Sequence, residues 1–188
     1  MRGLDDDSLV DLFRGGAADA FEALFARYHR MVFNYAFLMT GDRQAAEDIL
    51  QDTFIAAARS VPRYEPAGRF RAWLMAICRN RCLALLERFR TRRRLMDESG
   101  FELLTPSISS VRAHESLARR EELDRLRVHL QELPEASRDA LSLYAFDDLS
   151  YAEIAQVLGC PINTVKTLIR RARIALAHQL AADHEDLP

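Results

Sequence analysis

One stretch of the chain combines an aromatic ring, small side chains and an amide within a dense run of arginines. Four residues recur at spacings of three and four, as one stripe of a helix requires: Trp73, Ala76, Asn80 and Ala84. Arg79 and Arg81 flank this stripe. Arginines neutralise phosphates, an aromatic plane stacks on an unpaired base, and an amide both donates and accepts hydrogen bonds. The pattern favours binding to single-stranded nucleic acid, although Trp73 suits a core position almost equally well.

A second stretch, LSYAEIAQVLGCPINTVKTLIRRAR (residues 149–173), predicts two helices joined by a short turn. Ser150 and Glu153 have the spacing of a capping box, and Gly159 ends the first helix. Apolar residues on the two helices are spaced to bury against each other: Ile154, Ala155, Leu158, Ile162, Val165, Ile169 and Ala172. Polar residues remain on the outer face of the second helix: Asn163, Thr164, Lys166, Thr167, Arg170 and Arg171. This arrangement is typical of a DNA-binding helix-turn-helix, and a solvated antiparallel helix pair is the alternative.

A third stretch, residues 42–61, predicts a helix with an acidic outer face. Four residues form the predicted buried stripe: Ala46, Leu50, Phe54 and Ala57. Five residues lie away from it: Glu47, Asp48, Gln51, Asp52 and Ile55. Acidic residues around an exposed isoleucine suit the docking of another protein, and from the residues alone an acidic solvated face is as good an interpretation.

Charge is distributed unevenly along the 188 residues, although the formal net charge is only −2. From Arg59 to Arg94, eleven arginines stand against Glu65 and Glu87, a local balance of 11 − 2 = +9. Between residues 161 and 178 four basic residues face no acid: Lys166, Arg170, Arg171 and Arg173. Two basic blocks that are separate from acidic segments indicate two sites for a polyanion and another surface for a different partner.

Residues suited to catalysis or metal binding are not grouped in the sequence. Cys78 and Cys82 lie one helical turn apart with no second pair and no nearby histidine, so buried reduced thiols are expected. No H-E-x-x-H, P-loop or G-x-S-x-G motif occurs. We therefore expect no cofactor, no metal and no enzymatic activity. The acidic N-terminus and the lack of an apolar stretch of about 20 residues predict a cytoplasmic protein without membrane insertion.

Helical spacing with recognisable ends recurs throughout, which predicts an all-α fold. The predicted helices cover residues 8–14, 18–40, 42–61, 69–92, 113–133, 134–146, 150–159 and 161–181. Periodicity lapses between Leu95 and Val111, where Gly100, Pro106 and several serines lie. The sequence therefore predicts two small helical domains, residues 1–94 and 113–188, joined by a flexible linker over residues 95–112.

Residues 149–173 resemble the fourth-region helix-turn-helix of bacterial extracytoplasmic-function sigma factors. The segment FRAWLMAICRNRCLALLERFR (70–90) is similar to the second-region promoter-melting helix of that family, and AAEDILQDTF (45–54) to the helix that docks on polymerase. Their order, the linker and the overall length agree, so the resemblance covers roughly residues 8–181. It implies a factor that binds core RNA polymerase and promoter DNA and directs initiation through the minus-ten and minus-thirty-five elements.

The resemblance also implies roles for individual residues. Polymerase binding is expected at Glu47, Asp48, Gln51, Asp52 and Ile55. Minus-ten binding, with a flipped base held by the 62–68 loop and the start of the next helix, is expected at Arg63, Tyr64, Arg69, Trp73, Arg79, Asn80 and Arg81. Minus-thirty-five binding is expected at Asn163, Thr164, Lys166, Thr167, Arg170, Arg171 and Arg173. Leu168 stands where the family often has an arginine or another polar residue, so upstream recognition is expected to differ or to be weaker. An anti-sigma factor is the implied inhibitor.

A one-component transcriptional regulator is the second hypothesis: a C-terminal helix-turn-helix preceded by a helical sensing domain. A sensing domain needs an apolar pocket for its ligand. The most arginine-rich block nevertheless lies in the front half of the chain, which favours a second DNA-binding surface there.

Overall fold

The computed structural model describes residues 1, 3–99, 126–145 and 149–185, and all regular secondary structure within these ranges is helical. The all-α prediction is confirmed. Most of the predicted linker lies outside the described residues, as do the start of the helix predicted from residue 113 and Phe146. None of the described helices is both long and apolar enough to cross a membrane.

Four helices make up the N-terminal domain. They are α1 (Asp6–Arg14), α2 (Ala18–Thr40), α3 (Arg43–Ser60) and α4 (Phe70–Ser99), with a 3-10 turn at Val61–Arg63 before α4. The start predicted for α1 at Ser8 was two residues late, because the Asp5 carboxylate caps the helix by accepting from the Ser8 amide at 2.7 Å. Gly41, at φ +69°, ends α2 as predicted, and the Asp42 carboxylate caps α3.

The end predicted for α4, near Arg92, was wrong. The helix continues to Ser99, so residues 95–99, which were assigned to the linker, extend it. The sequence contains no glycine or proline from residue 70 until Gly100, and a charged stretch without a helix breaker can remain helical although its apolar periodicity has lapsed.

The core of the N-terminal domain is built around α2, which packs against α1, α3 and α4. The largest fully buried side chains here are Leu9, Leu24, Tyr35, Met39, Phe70, Leu74 and Met75. Phe70 and Trp73 at the start of α4 join Tyr64 in an aromatic cluster, with ring centroids 4.8 to 5.7 Å apart. This cluster fixes the first turn of α4 against the preceding loop.

The C-terminal domain comprises α5, described over residues 126–132, and three further helices. These are α6 (Glu135–Ala145), α7 (Tyr151–Leu158) and α8 (Ile162–Glu185). The predicted capping box is present: the Ser150 hydroxyl accepts from the Glu153 amide at 3.2 Å, and the Glu153 carboxylate accepts from the Ser150 amide at 2.8 Å. Gly159, at φ +65°, ends α7 as predicted.

The buried set predicted for α7 and α8 is largely correct. Ile154, Val165, Ile169 and Ala172 are buried, whereas Ala155 and Leu158 are half-buried. Ile162 is 43% exposed, because it is the first residue of α8 and lies beyond the region that α7 covers.

Candidate nucleic-acid interface

An open cavity of about 380 Å³ lies where the 61–69 segment meets α4. It is lined by Arg63, Tyr64, Glu65, Arg69, Ala72, Trp73, Ala76 and Gln156. Four of the predicted minus-ten residues therefore share one cavity: Arg63, Tyr64, Arg69 and Trp73. The two arginines are exposed at its rim, while Trp73 is half-buried and contributes both to the aromatic cluster and to the cavity wall.

The loop before α4 is held in place by Asp7 and Arg14 of α1, which no pattern in the sequence indicated. The Asp7 carboxylate accepts from the Tyr64 hydroxyl at 3.1 Å and from the Gly68 amide at 2.7 Å. The Arg14 guanidinium donates to the Val61 carbonyl at 2.9 Å and also to the Tyr64 carbonyl. Burial and the hydrogen bond to Asp7 raise the pKa of Tyr64 to about 12. The Tyr64 hydroxyl is therefore committed to α1, and its ring contributes to the cavity.

Farther along α4, Asn80 and Arg81 are exposed, and Arg79 is in a different environment. The Arg79 Nε donates to the Asp139 carboxylate of α6 at 2.7 Å. Asp139 is only 2% exposed and also accepts from the Tyr35 hydroxyl at 2.7 Å. In this arrangement Arg79 is therefore committed to a carboxylate, and only its two neighbours face solvent.

The outer face of α3 has the predicted composition. Asp48, Gln51, Asp52 and Ile55 are exposed, and Ile55 is 50% exposed. Glu47 is half-buried and forms an ion pair of 2.9 Å with Arg43. On the inner face, Ala46, Phe54 and Ala57 are buried as predicted, but Ile49 is buried in place of Leu50, which is half-buried.

A groove of about 350 Å³ separates α3 from α4. Asp48 and Asp52 line its acidic wall, and Arg81 and Arg88 line its basic wall. The face predicted for polymerase and one residue predicted for DNA therefore border the same groove.

The outer face of α8 carries the predicted polar residues, and all of them are exposed: Asn163, Thr164, Lys166, Thr167, Arg170, Arg171 and Arg173. Two of these cations lie over aromatic rings of the same domain. The Arg173 guanidinium is 5.0 Å from the centroid of Tyr144, and the Lys166 ammonium is 5.9 Å from that of Tyr151. Leu168 is half-buried against the core, which explains why an apolar residue is suited to this position.

Several polar residues at this interface were missed because their partners are distant in sequence. Asp139 lies 60 residues from Arg79 and 104 from Tyr35. Glu153 was identified only as a capping residue, yet it also accepts from Arg71 at 2.7 Å. In both cases the local pattern is that of an ordinary amphipathic helix, so no signal in the sequence could reveal the partner.

Neither cysteine of α4 is available at the surface. Cys78 and Cys82 are fully buried, and Cys160 is half-buried. Across the described ranges, no group of three or more histidine, cysteine or carboxylate side chains is arranged to hold a metal ion.

Two family models match the chain. Sigma-70 region 2 matches residues 24–94, and Sigma-70, region 4 matches residues 123–176. The first range contains α3 and most of α4, and the second contains the helix-turn-helix.

Curated relatives match over most of their length. The RNA polymerase sigma-H factor of Pseudomonas aeruginosa is 30% identical over 177 residues, covering 91% of each chain. CarQ of Myxococcus xanthus, an RNA polymerase sigma factor, is 36% identical over 151 residues, covering 80% of this chain and 83% of CarQ. The ECF RNA polymerase sigma-E factor of Salmonella typhimurium is 30% identical over 184 residues, covering 94% and 95%.

Two solved structures are also similar. CnrH, in complex with the cytosolic domain of CnrY, superposes with a TM-score of 0.73 at 29% identity, covering 95% of this chain and 98% of CnrH. The sigma factor RpoE of Bartonella quintana, in complex with the anti-sigma factor NepR, superposes with a TM-score of 0.69 at 27% identity, covering 87% and 98%. The helical fold, the two family models and the curated relatives support one conclusion. The chain belongs to the extracytoplasmic-function family of RNA polymerase sigma factors.

Proposed function

We propose a division of labour among three surfaces of this sigma factor. The exposed face of α3 binds core RNA polymerase, the cavity at the start of α4 captures a base of the minus-ten element, and α8 binds the minus-thirty-five element. Residues 1–94 and 113–188 act as the two DNA-binding domains. The protein acts as a transcription initiation factor in the cytoplasm and catalyses no reaction itself.

The cavity is the observation that carries this proposal. Extruding a base from duplex DNA costs a few kcal/mol of stacking and pairing, which the protein must offset. Stacking of a base on an aromatic side chain contributes roughly 1 to 3 kcal/mol. Trp73 offers such a ring in the cavity wall, with the buried Tyr64 packed behind it, and Arg63 and Arg69 at the rim suit the adjoining phosphates. Because Asp7 and Arg14 fix the loop, little conformational entropy is lost when a base enters.

The face of α8 divides into two kinds of contact. Asn163, Thr164 and Thr167 are short polar residues suited to base edges, while Lys166, Arg170 and Arg171 are suited to phosphates. Arg173 also lies over the Tyr144 ring, so we assign it a packing role besides any phosphate contact.

An inhibitor completes the proposed function. CnrH is solved with the cytosolic domain of CnrY, and RpoE of Bartonella quintana with the anti-sigma factor NepR. By analogy, we assign this chain an anti-sigma partner. An apolar cavity of about 580 Å³, lined mainly by leucines of α2, α5, α6 and α8, is a suitable surface for it. A one-component regulator, the second hypothesis, has no support from the family matches.

Transcription in vitro tests the proposal. Purified chain is mixed with sigma-free core polymerase and genomic DNA of the encoding organism, and the starts of the transcripts are mapped. The Arg63→Ala/Arg69→Ala variant should reduce initiation at the mapped promoters without lowering the thermal unfolding temperature, because both side chains are exposed. Arg30→Ala/Arg59→Ala, which removes two exposed arginines outside the cavity, is the matched control. Normal initiation by the double variant would show that the cavity has no role in initiation.

A further inference from the structure

Two tyrosines of the C-terminal domain stack on each other beside α8. Tyr144 lies in the last turn of α6, and Tyr151 is the first residue of α7. Their rings are nearly parallel, with an interplanar angle of 10° and centroids 5.5 Å apart. Both side chains are half-buried and pack against the apolar core. The core and the ends of two helices therefore fix the positions of the rings.

Hydrogen bonds at the start of α7 also hold Tyr151 in place. The residue directly follows Ser150, whose hydroxyl accepts from the Glu153 amide at 3.2 Å. The Ser150 amide in turn donates to the Glu153 carboxylate at 2.8 Å. This capping box defines the first turn of α7. The Tyr151 ring therefore extends from a turn that two hydrogen bonds hold.

Each of the two rings carries one cation of α8. The Arg173 guanidinium is 5.0 Å from the centroid of Tyr144, and the Lys166 ammonium is 5.9 Å from that of Tyr151. Positions 166 and 173 are about two helical turns apart and lie on the same side of α8. Four side chains are thus connected in the order Lys166, Tyr151, Tyr144 and Arg173. We refer to them as the cation–aromatic stack.

The backbone that carries the two cations is itself anchored. Val165, Ile169 and Ala172 of α8 are at most 2% exposed. Because this stripe is buried, α8 cannot turn about its axis without losing core contacts. The freedom that remains to Lys166 and Arg173 is therefore in their long side chains.

A cation that lies over a ring differs from one in an ion pair. A carboxylate such as Asp139 accepts from Arg79 and compensates its charge. An aromatic face attracts a cation through its quadrupole and leaves both the charge and the N–H donors of that cation available. An ammonium over a ring can therefore still bind a phosphate. It has also already lost part of the rotamer freedom that phosphate binding would otherwise cost.

From this geometry we infer that Tyr151 and Tyr144 are positioning residues for the DNA backbone at the minus-thirty-five element. They hold Lys166 and Arg173 at the outer face of α8 in an orientation from which both cations bind phosphates. In this role the rings act through the cations and need not touch DNA. The inference rests on the proposed function, because it takes α8 to be the helix that binds this element.

A resonance of Lys166 tests whether the ring holds the cation. Lys166 is the only lysine of the chain, so ¹³C-labelled lysine gives one set of side-chain resonances in the full-length protein. We expect its ε-protons to be shifted upfield by the Tyr151 ring current in the wild type and in Tyr151→Phe, which keeps the ring. In Tyr151→Leu, which keeps only apolar bulk, the shift should be lost. In the wild type it should persist when the protein is saturated with duplex DNA.

DNA affinity tests whether the ring acts through the cation. It is measured at fixed salt with a mixed-sequence duplex, since phosphate contacts do not depend on sequence. Tyr151→Leu is compared with Tyr151→Phe, because both lack the hydroxyl and only the second has a ring. We expect Tyr151→Leu to bind roughly two- to fivefold more weakly, as loss of one exposed cation–π contact implies.

Background variants show which cation the ring serves. The difference between Tyr151→Leu and Tyr151→Phe should vanish in a Lys166→Ala background, because the ring then has no cation to position. It should remain in an Arg171→Ala background, the matched control from outside the stack. The corresponding pair of changes at Tyr144 should depend in the same way on Arg173. Circular dichroism checks that each variant folds, and the wild-type resonance keeps the inference testable if a leucine variant does not.

Two results from the resonance would overturn the inference: no upfield shift in the wild type, or a shift that disappears on saturation with DNA, since the ring would then release the lysine for binding. An equal loss of affinity in Tyr151→Leu with and without Lys166 would also overturn it, since the ring would then serve only the core. Transcription with core polymerase is measured on the same wild-type preparation. Its absence, with DNA binding and the dependence on Lys166 intact, would count against the proposed function and not against the stack.

Discussion

Arg79 and Arg81 lie two positions apart on α4, and their surroundings differ. Arg79 is 23% exposed and paired with a buried carboxylate, whereas Arg81 is exposed on the groove between α3 and α4. Arginine is always charged, so its partner decides whether it is available to a phosphate. Of the two arginines that flank the predicted stripe, Arg81 is exposed, whereas Arg79 is held by the Asp139 carboxylate.

Asn80 lies between these arginines, and we expect it to act in opening DNA rather than in locating it. Its amide is exposed and can both donate to and accept from an extruded base. Loss of one such interaction costs about 1 to 3 kcal/mol. Asn80→Ala should therefore reduce transcription from duplex promoters and recover substantially on a template that is mismatched at the minus-ten region.

Polymerase binding and helix content of the Asn80→Ala variant serve as controls, and both should equal those of the wild type. Restored transcription on the mismatched template would show that the variant is defective in melting the duplex and has not simply lost a contact with DNA. Transcription from duplex templates at the normal rate would show that Asn80 is only a solvated residue of the helix.

The two cysteines of α4 lead to a chemical prediction. Cys78 and Cys82 are fully buried, and the hydrogen bond between them together with burial raises the pKa of the Cys82 thiol. Thiols react as thiolates, so both should be alkylated far more slowly than the half-buried Cys160. Peptide mass spectrometry after brief exposure to iodoacetamide should find the label on Cys160. Early labelling of Cys82 would contradict the burial.

At the scale of the elements, α3 presents one continuous face to a partner. Asp48 and Gln51 are exposed on it. Asp48→Arg/Gln51→Ala should weaken binding to core polymerase, because like charges brought together at an interface cost several kcal/mol. A pull-down with core enzyme measures the effect, and Glu22→Arg, an equal reversal on α2, is the control. If both variants recovered the same amount of polymerase, this face would not be a polymerase-binding surface.

Helix α8 is predicted to position the chain on DNA through its cations. Lys166→Ala and Arg171→Ala should each weaken upstream binding equally for all sequences and reduce the salt slope by about one unit. Titration of duplex DNA at several salt concentrations gives that slope. A change in base preference with an unaltered slope would contradict the phosphate assignment. Leu168→Arg is expected to destabilise the domain, because the half-buried leucine would lose its apolar contacts.

The ends of the helices were predicted correctly wherever a capping side chain or a glycine is present. Gly41, Asp42, Ser150 with Glu153, and Gly159 all form the predicted caps. The end of α4 was missed, because a charged helix without a breaker has no local mark at its end. The cavity was partly predicted from the aromatic and basic residues near α4, but Asp7 and Arg14, which hold its loop, carry no signal that links them to it.

At the scale of the whole molecule, the contact between the domains could not be predicted from the sequence. Each half of the chain has enough apolar residues for its own core, so nothing in the pattern requires a second contact. Several of the residues that join the halves, including Tyr35, Arg79 and Asp139, are polar, and in a sequence they are indistinguishable from surface residues. Asp139 is the clearest case, since it resembles a solvated helix residue and is buried with Tyr35 and Arg79 of the other domain as its partners.

A charge exchange at the edge of this contact provides a further prediction. Arg90 is 49% exposed and Glu135 is 29% exposed by side chain, so their pairing contributes only about 0.2 to 1 kcal/mol. Glu135→Arg should slightly lower the energy transfer between dyes on cysteines introduced at the exposed positions Glu22 and His178, and adding Arg90→Glu should restore it. Failure of the second change to restore energy transfer would show that the first acts by disturbing α6 rather than by repelling Arg90.

The pairing of Arg79 with a buried carboxylate also limits how strongly Arg79 can hold a phosphate. A phosphate pairs with Arg79 only in the fraction of molecules in which Asp139 has released it, so the apparent dissociation constant of that contact equals the intrinsic constant divided by this fraction. If the fraction is about one in a hundred, the apparent affinity at this position is roughly a hundredfold weaker than the intrinsic affinity.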